Sequence, residues 1–153
     1  MRKILIVEDD EFKLESIAKC VSSRMPGIVL VFARSIVSSL REIELDQAIE
    51  FVILDMSLPT YDVGPDESGG RPQGFGGLTV MQHLDALERR IPVLVVTQFL
   101  SFEEGDEILE VEDLKRALVD DYADLFVGLV QYSGGSSNWK DELMMRLESV
   151  VRQ

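Results

Sequence analysis

The chain has 153 residues, of which 46% are apolar and 28% charged, the length and balance of one globular domain with one good hydrophobic core. Its 15 basic and 28 acidic side chains leave a net charge of −13, a field that repels nucleic acid and anionic lipid and argues against direct binding to either. The lone Cys20 excludes an internal disulfide, and Met1-Arg2-Lys3 runs straight into a strand-like segment, so a cytoplasmic chain without a signal peptide is expected. The purely apolar runs, such as residues 91–96, are too short to cross a bilayer.

Short β-branched apolar runs alternate with helical stripes along the chain. Ile4-Leu5-Ile6-Val7 predicts a first strand, and Leu14, Ile17, Ala18 and Val21 follow the i, i+3, i+4, i+7 spacing of a helix. A second strand is expected at residues 28–32, then a helix capped by Ser35 and carrying Ile36, Leu40 and Ile43. Phe51-Val52-Ile53-Leu54 reads as the third strand. After it, residues 60–77 hold six of the eleven glycines plus Pro65 and Pro72, which predicts a long mobile loop inserted in the domain. Gly74-Phe75-Gly76-Gly77 lacks the Gly-Lys-Ser/Thr that a phosphate-cradling loop requires. A helix at residues 78–87 and a strand at Val93-Leu94-Val95-Val96 follow. Residues 99–113 carry seven acidic side chains and read as an extra helical turn or an acidic surface loop. A helix at 111–119, a strand at 126–132 interrupted by Gly128, and a final helix with Leu143, Leu147, Val150 and Val151 complete the series. Strands that are apolar throughout are buried on both faces, so the pattern predicts an α/β fold: a five-stranded parallel sheet flanked by helices on both faces. Residues 1–153 are expected to form a single domain, with no second effector domain.

In such sheets ligands bind beyond the carboxyl ends of the strands. The first strand ends in Glu8-Asp9-Asp10, the third in Asp55 and the fourth in Thr97. Carboxylates crowded at one rim repel unless they are protonated or bridged by a cation. All-oxygen ligands suit Mg²⁺, and a carboxylate beside that ion can attack an activated phosphoryl group while the Thr97 hydroxyl hydrogen-bonds a phosphoryl oxygen. Each residue also has an ordinary structural role: Glu8 or Asp10 as a helix cap, Asp55 and Thr97 as turn residues. It is their placement together, at the ends of separate strands, that points to chemistry.

Lys3-Ile-Leu-Ile-Val-Glu8-Asp9-Asp10, Val52-Ile-Leu-Asp55-Met-Ser-Leu-Pro59 and Pro92-Val-Leu-Val-Val-Thr97 resemble the three signature stretches of CheY-like receiver domains of two-component response regulators. The resemblance covers most of the chain and implies a flavodoxin-like sheet of the receiver type. It also implies Asp55 as phosphoacceptor, Thr97 as the phosphoryl contact, and Mg²⁺ held by Glu8, Asp9, Asp55 and the backbone carbonyl of Ser57. The partners implied are a histidine kinase or a His-containing phosphotransfer protein upstream and a protein target downstream. The chain would be a phosphoprotein of phosphorelay signal transduction, undergoing self-phosphotransfer rather than acting as a turnover enzyme.

Two departures stand out. Receivers carry a Lys at the end of the fifth strand, and here Tyr132 falls at that position, with Gln131 the alternative; no Lys occurs there before Lys140. The switch aromatic of that strand falls at Leu129. Slow phosphorylation and a weakened structural response are therefore expected, and a degenerate receiver serving as a phosphorylation-independent interaction module is the alternative. An aspartate-nucleophile phosphatase is disfavoured, because Ser57 stands where that chemistry needs a second Asp. His83 reads as a surface or satisfied side chain, and Trp139 with Met144-Met145 as packing residues of the last helix.

Overall fold

The computed structural model describes residues 2–63 and 74–151. In chain order the elements are β1 (Lys3–Val7), α1 (Glu11–Arg24), β2 (Val29–Ala33), α2 (Ile36–Leu45), β3 (Ile49–Leu54), α3 (Gly76–Ala86), β4 (Val93–Thr97), β5 (Ser101–Glu104), β6 (Glu107–Glu110), α4 (Val111–Asp121), β7 (Phe126–Gln131) and α5 (Asn138–Val150). Five strands pair in parallel in the order β2-β1-β3-β4-β7, which is the expected five-stranded sheet.

Alternation along the apolar strands builds two cores. Ile4, Ile6, Phe51, Ile53, Leu94, Val96 and Val130 point to the face covered by α1 and α5, where Ile17, Val21, Trp139, Leu143 and Leu147 close the layer. Leu5, Val7, Val52, Leu54, Val93, Val95 and Leu129 point to the opposite face, against α2, α3 and α4 through Ile43, Val80, Leu84, Leu114 and Leu118. A strand buried on both faces needs apolar side chains at both parities, hence the unbroken runs. No helix among the described residues is long and apolar enough to cross a membrane.

Local capping follows the sequence closely. The Ser35 side chain accepts the Ser38 N–H and the Ser38 hydroxyl accepts the Ser35 N–H, a reciprocal cap at the start of α2. Asp10 caps α1 by accepting the Lys13 N–H at 3.0 Å, so of the two acidic candidates it is Asp10 that serves as the cap.

Three details differ from expectation. The acidic stretch after β4 is neither a helical turn nor a loop: β5 and β6 form an antiparallel hairpin. Gly105, with φ 62°, takes the first position of its two-residue turn, a conformation open to glycine. Phe102 is buried, and its opposite number Leu109 packs against the core, so two apolar residues among many acids suffice to seat the hairpin. Of the segment 60–77, residues 64–73 lie outside those described, while Gly76 and Gly77 are the first turn of α3, two residues earlier than the apolar stripe suggests. Met144 is buried but its neighbour Met145 is 63% exposed, so only the former packs; His83 lies on the surface.

The early start of α3 has a steric cause. The Gly77 N–H donates to the Met56 carbonyl at 2.8 Å, and a Cβ on Gly77 would sit 2.5 Å from the Asp55 carbonyl oxygen. Gly77→Ala is therefore expected to cost about 2 kcal/mol of stability by forcing α3 off the turn after β3. Urea denaturation checks this, and an unchanged midpoint would contradict the close approach.

Candidate functional site

The register of the sheet brings the chemistry of four strands to one edge. Val7 lies opposite Leu54, and the next residue of β3's chain, Asp55, donates its N–H to the Val7 carbonyl at 3.0 Å. Glu8 donates its N–H to the Ala33 carbonyl at 3.0 Å, Thr97 pairs with Gln131, and the Tyr132 N–H donates to the Thr97 carbonyl at 2.8 Å. Glu8, Asp55, Thr97 and Tyr132 thus stand within two residues of one level at the carboxyl edge, around the point between β1 and β3 where the strand order reverses.

Carboxylate oxygens of Glu8, Asp9 and Asp55 lie within 4.8 Å of one another. Glu8 and Asp55 are buried and Asp9 is half-buried, while Thr97 is fully buried with its hydroxyl accepting the Phe99 N–H at 3.3 Å. Asp55 Oδ1 accepts the Met56 N–H at 2.8 Å, which fixes the carboxylate's rotation. Ser57 follows two residues later in the half-buried turn on the same edge. Tyr132 is buried, its ring centroid 4.8 Å from that of Trp139, while Gln131 is exposed and its side-chain amide reaches back to the Phe99 carbonyl at 3.5 Å.

One participant escapes the strand-end reasoning. Lys13, in the first turn of α1, is 1% exposed and directs its ammonium into the acidic cluster. Its Nζ lies 2.6 Å from Glu8 Oε1 and 3.3 Å from Asp55 Oδ1, and donates to the Val96 carbonyl at 2.9 Å. The same ammonium is 5.7 Å from the centre of the Tyr132 ring, within range of a cation–π contact. Helical side chains tilt toward the helix N-terminus, which here is the carboxyl edge of the sheet, so a long side chain at position 13 reaches the pocket. The sequence does carry a signal: Lys13 stands four residues before Ile17 and seven before Cys20, on the buried stripe of α1. A cation in a helix's first turn opposes the helix dipole, so sequence rules place it on the surface.

The electrostatics follow from one ammonium facing three carboxyls. Burial, and then the charge of Asp55, push the Glu8 carboxyl up to about 9, against the lowering pull of Lys13. Burial likewise raises Asp9, with the Asp55 charge adding to it, and burial raises Asp55 although Lys13 opposes the shift. Burial alone would lower Lys13; the negative charges of Asp55 and Glu8 outweigh it and hold the ammonium above its usual value. The pocket therefore carries excess negative charge that a proton on Glu8 relieves. Glu8 Oε1 faces the ammonium yet receives no well-directed hydrogen bond, a buried oxygen with a free lone pair. A hard divalent cation fits the chemistry of this donor set, which offers oxygen ligands only, all within 4.8 Å of one another.

No protein-family model matches the chain. The uncharacterised protein y4jR of Sinorhizobium fredii is 33% identical over 141 residues, covering 90% of this chain and 91% of that protein. The Detocs response regulatory protein DtcB of Vibrio alginolyticus is 28% identical over 149 residues, covering 95% and 99% respectively. The crystal structure of a CheY-like response regulator receiver domain protein from Methanospirillum hungatei JF-1 matches with a TM-score of 0.64 at 18% identity, over 98% of this chain and 94% of that one. With a relative spanning nearly its whole length the chain shares its family with y4jR, and with this strand order and acidic edge it has the fold of the CheY-like receiver domains of response regulators.

Proposed function

We propose that this receiver accepts a phosphoryl group on Asp55 with Mg²⁺ held by Glu8, Asp9, Asp55 and the Ser57 carbonyl, and that it acts in a phosphorelay. The observation that carries the reading is the buried Asp55 carboxylate at the strand-order reversal, flanked by two further carboxylates and by Thr97. The donor would be a histidine kinase or a His-containing phosphotransfer protein, and the output a protein target, since the −13 charge disfavours DNA. Residues 1–153 would act as one receiver unit in the cytoplasm, with the 60–77 segment as an insertion.

In the transfer, an Asp55 carboxylate oxygen forms a bond to phosphorus as the bond from phosphorus to the donor's leaving group breaks. The leaving group departs with the bonding pair and takes a proton from solvent or from the donor protein. Bound Mg²⁺ supplies charge neutralisation for the carboxylates and the phosphoryl oxygens. Met56 N–H holds the acceptor carboxylate in place, and the hydroxyl of Thr97, at the end of the neighbouring strand β4, would donate to a phosphoryl oxygen. Asp55 undergoes one transfer and must be dephosphorylated before the next, so the chain is a signalling acceptor rather than a turnover enzyme. The alternative, a phosphate-independent interaction module, rests on the missing Lys of the last strand of the sheet; the Lys13 ammonium 3.3 Å from Asp55 Oδ1 weighs against it.

The test is incubation with Mg²⁺ and acetyl phosphate followed by intact mass. One phosphoryl group per chain is expected, and none in Asp55→Asn; equal labelling of both proteins would overturn the assignment. Mg²⁺ affinity measured by calorimetry should fall about tenfold or more in Asp9→Asn, a loss of the size that disturbed metal-site partners produce. Undiminished affinity would place the ion elsewhere.

A further inference from the structure

The geometry points to Lys13 as the cation that binds the phosphoryl group on Asp55, supplied from the first turn of α1 instead of from the strand end. The inference rests on Asp55 being the acceptor and extends it to a residue of a different element. Lys13 Nζ is 3.3 Å from Asp55 Oδ1, so a phosphoryl group on that carboxylate arrives with its oxygens beside the ammonium. Three features hold the ammonium there: the 2.6 Å pair with Glu8, the donation to the Val96 carbonyl one residue before Thr97, and the Tyr132 ring 5.7 Å away. The Asp10 cap on the Lys13 N–H fixes the turn from which the side chain starts. A lysine whose side chain is 2% exposed among two acids has no role in surface solubility.

Tyr132 then has a definite part. Its ring fills the strand-end position beside Thr97, is backed by Trp139, and covers the ammonium with an aromatic face instead of competing with it by a second positive charge. The expectation that Asp55 is a slow acceptor depends on there being no ammonium at the pocket, and Lys13 supplies one. During transfer Lys13 keeps its proton and changes no bond. It stabilises negative charge gathering on the phosphoryl oxygens, as preorganised donors do at other oxyanions.

Full-length wild type, Lys13→Met, Lys13→Met/Tyr132→Lys and Asp55→Asn proteins are each incubated with Mg²⁺ and acetyl phosphate, and labelling is followed by intact mass. Lys13→Met is expected to label about a hundredfold more slowly than wild type, the loss typical of one oxyanion donor. Tyr132→Lys in that background should regain about tenfold or more, because it returns an ammonium to the pocket from the strand end; a purely structural role for Lys13 predicts no such recovery. A second readout is independent of labelling and of the variants' folding. The ¹⁵N resonance of the Lys13 ammonium in wild type should shift when trifluoroberyllate, a mimic of the phosphoryl group, is added with Mg²⁺. Wild-type labelling with an unchanged rate in Lys13→Met, or an unmoved ammonium resonance in protein that binds trifluoroberyllate, overturns the role of Lys13 alone. Absence of labelling and of trifluoroberyllate binding in wild type overturns the acceptor reading itself, and the role of Lys13 with it.

Discussion

Raising the pH from about 5 to about 8 should strip stability from the metal-free protein, by up to roughly 1.4 kcal/mol per pH unit. The cause is Glu8, whose carboxyl titrates at about 9 in the folded pocket against an ordinary value of 4.5. Between those values the folded chain keeps a proton that the unfolded chain has released. Unfolding then loses a proton, so stability is fully present below about 4.5 and drains away as pH rises toward about 9. Asp9 and Asp55 are raised too and act with the same sign. Lys13 is raised from 10.5, so its contribution is constant across this window and is lost only in alkali. For a chain of this size the drop corresponds to a fall in Tm of ~5 °C or more. Saturating Mg²⁺ should flatten the slope, because ionised Glu8 and its neighbours then have a partner. Thermal denaturation across the range, with and without Mg²⁺, checks both halves; a Tm that is flat or rises with pH in metal-free protein would contradict the account.

The second large effect concerns the ion pairs themselves. Lys13→Met keeps most of the apolar stem but deletes the ammonium that is 2.6 Å from Glu8 and 3.3 Å from Asp55. Removing one partner of a buried pair leaves uncompensated charge, at a cost of about 3–5 kcal/mol. The expected loss at neutral pH lies near the lower end, because Glu8 already holds its proton there and less charge is left uncompensated. Asp55→Asn in the same chain should recover most of it, since the remaining carboxylates no longer face a third charge. A double-mutant cycle by urea denaturation measures this. Strict additivity of the two substitutions would mean that Lys13 and Asp55 do not interact energetically.

How far the sequence foretells this molecule depends on whether a residue's local neighbours resemble its spatial ones. The central strands β1, β3 and β4 are legible because burial on two faces leaves an unbroken apolar run. Ser35 is legible because a cap is a local hydrogen bond. Glu8, Asp9, Asp55 and Thr97 are legible because parallel strands all deliver their last residues to one edge. The β5–β6 hairpin is hidden because Phe102 and Leu109 seat it from the inside while five acids among residues 101–110 mask the alternation. The start of α3 is hidden because Gly76 and Gly77 are chosen by close approach to Leu58 and Asp55, not by helix propensity. Lys13 is hidden for the strongest reason: its burial depends on two carboxylates, Glu8 beyond the start of its own helix and Asp55 at the end of another strand. The fixed charge that strand-end reasoning seeks near Tyr132 is therefore present in the pocket but carried by α1.

The most direct measurement of the central claim is chemical trapping of the acyl phosphate. Protein treated with Mg²⁺ and acetyl phosphate is reduced with borohydride, which converts a phosphorylated aspartate to homoserine, and the peptides are read by mass spectrometry. Homoserine is expected at position 55 and at no other carboxylate, with Glu8 and Asp9 unmodified. Homoserine at another aspartate, or none anywhere in protein shown to be folded, would contradict it.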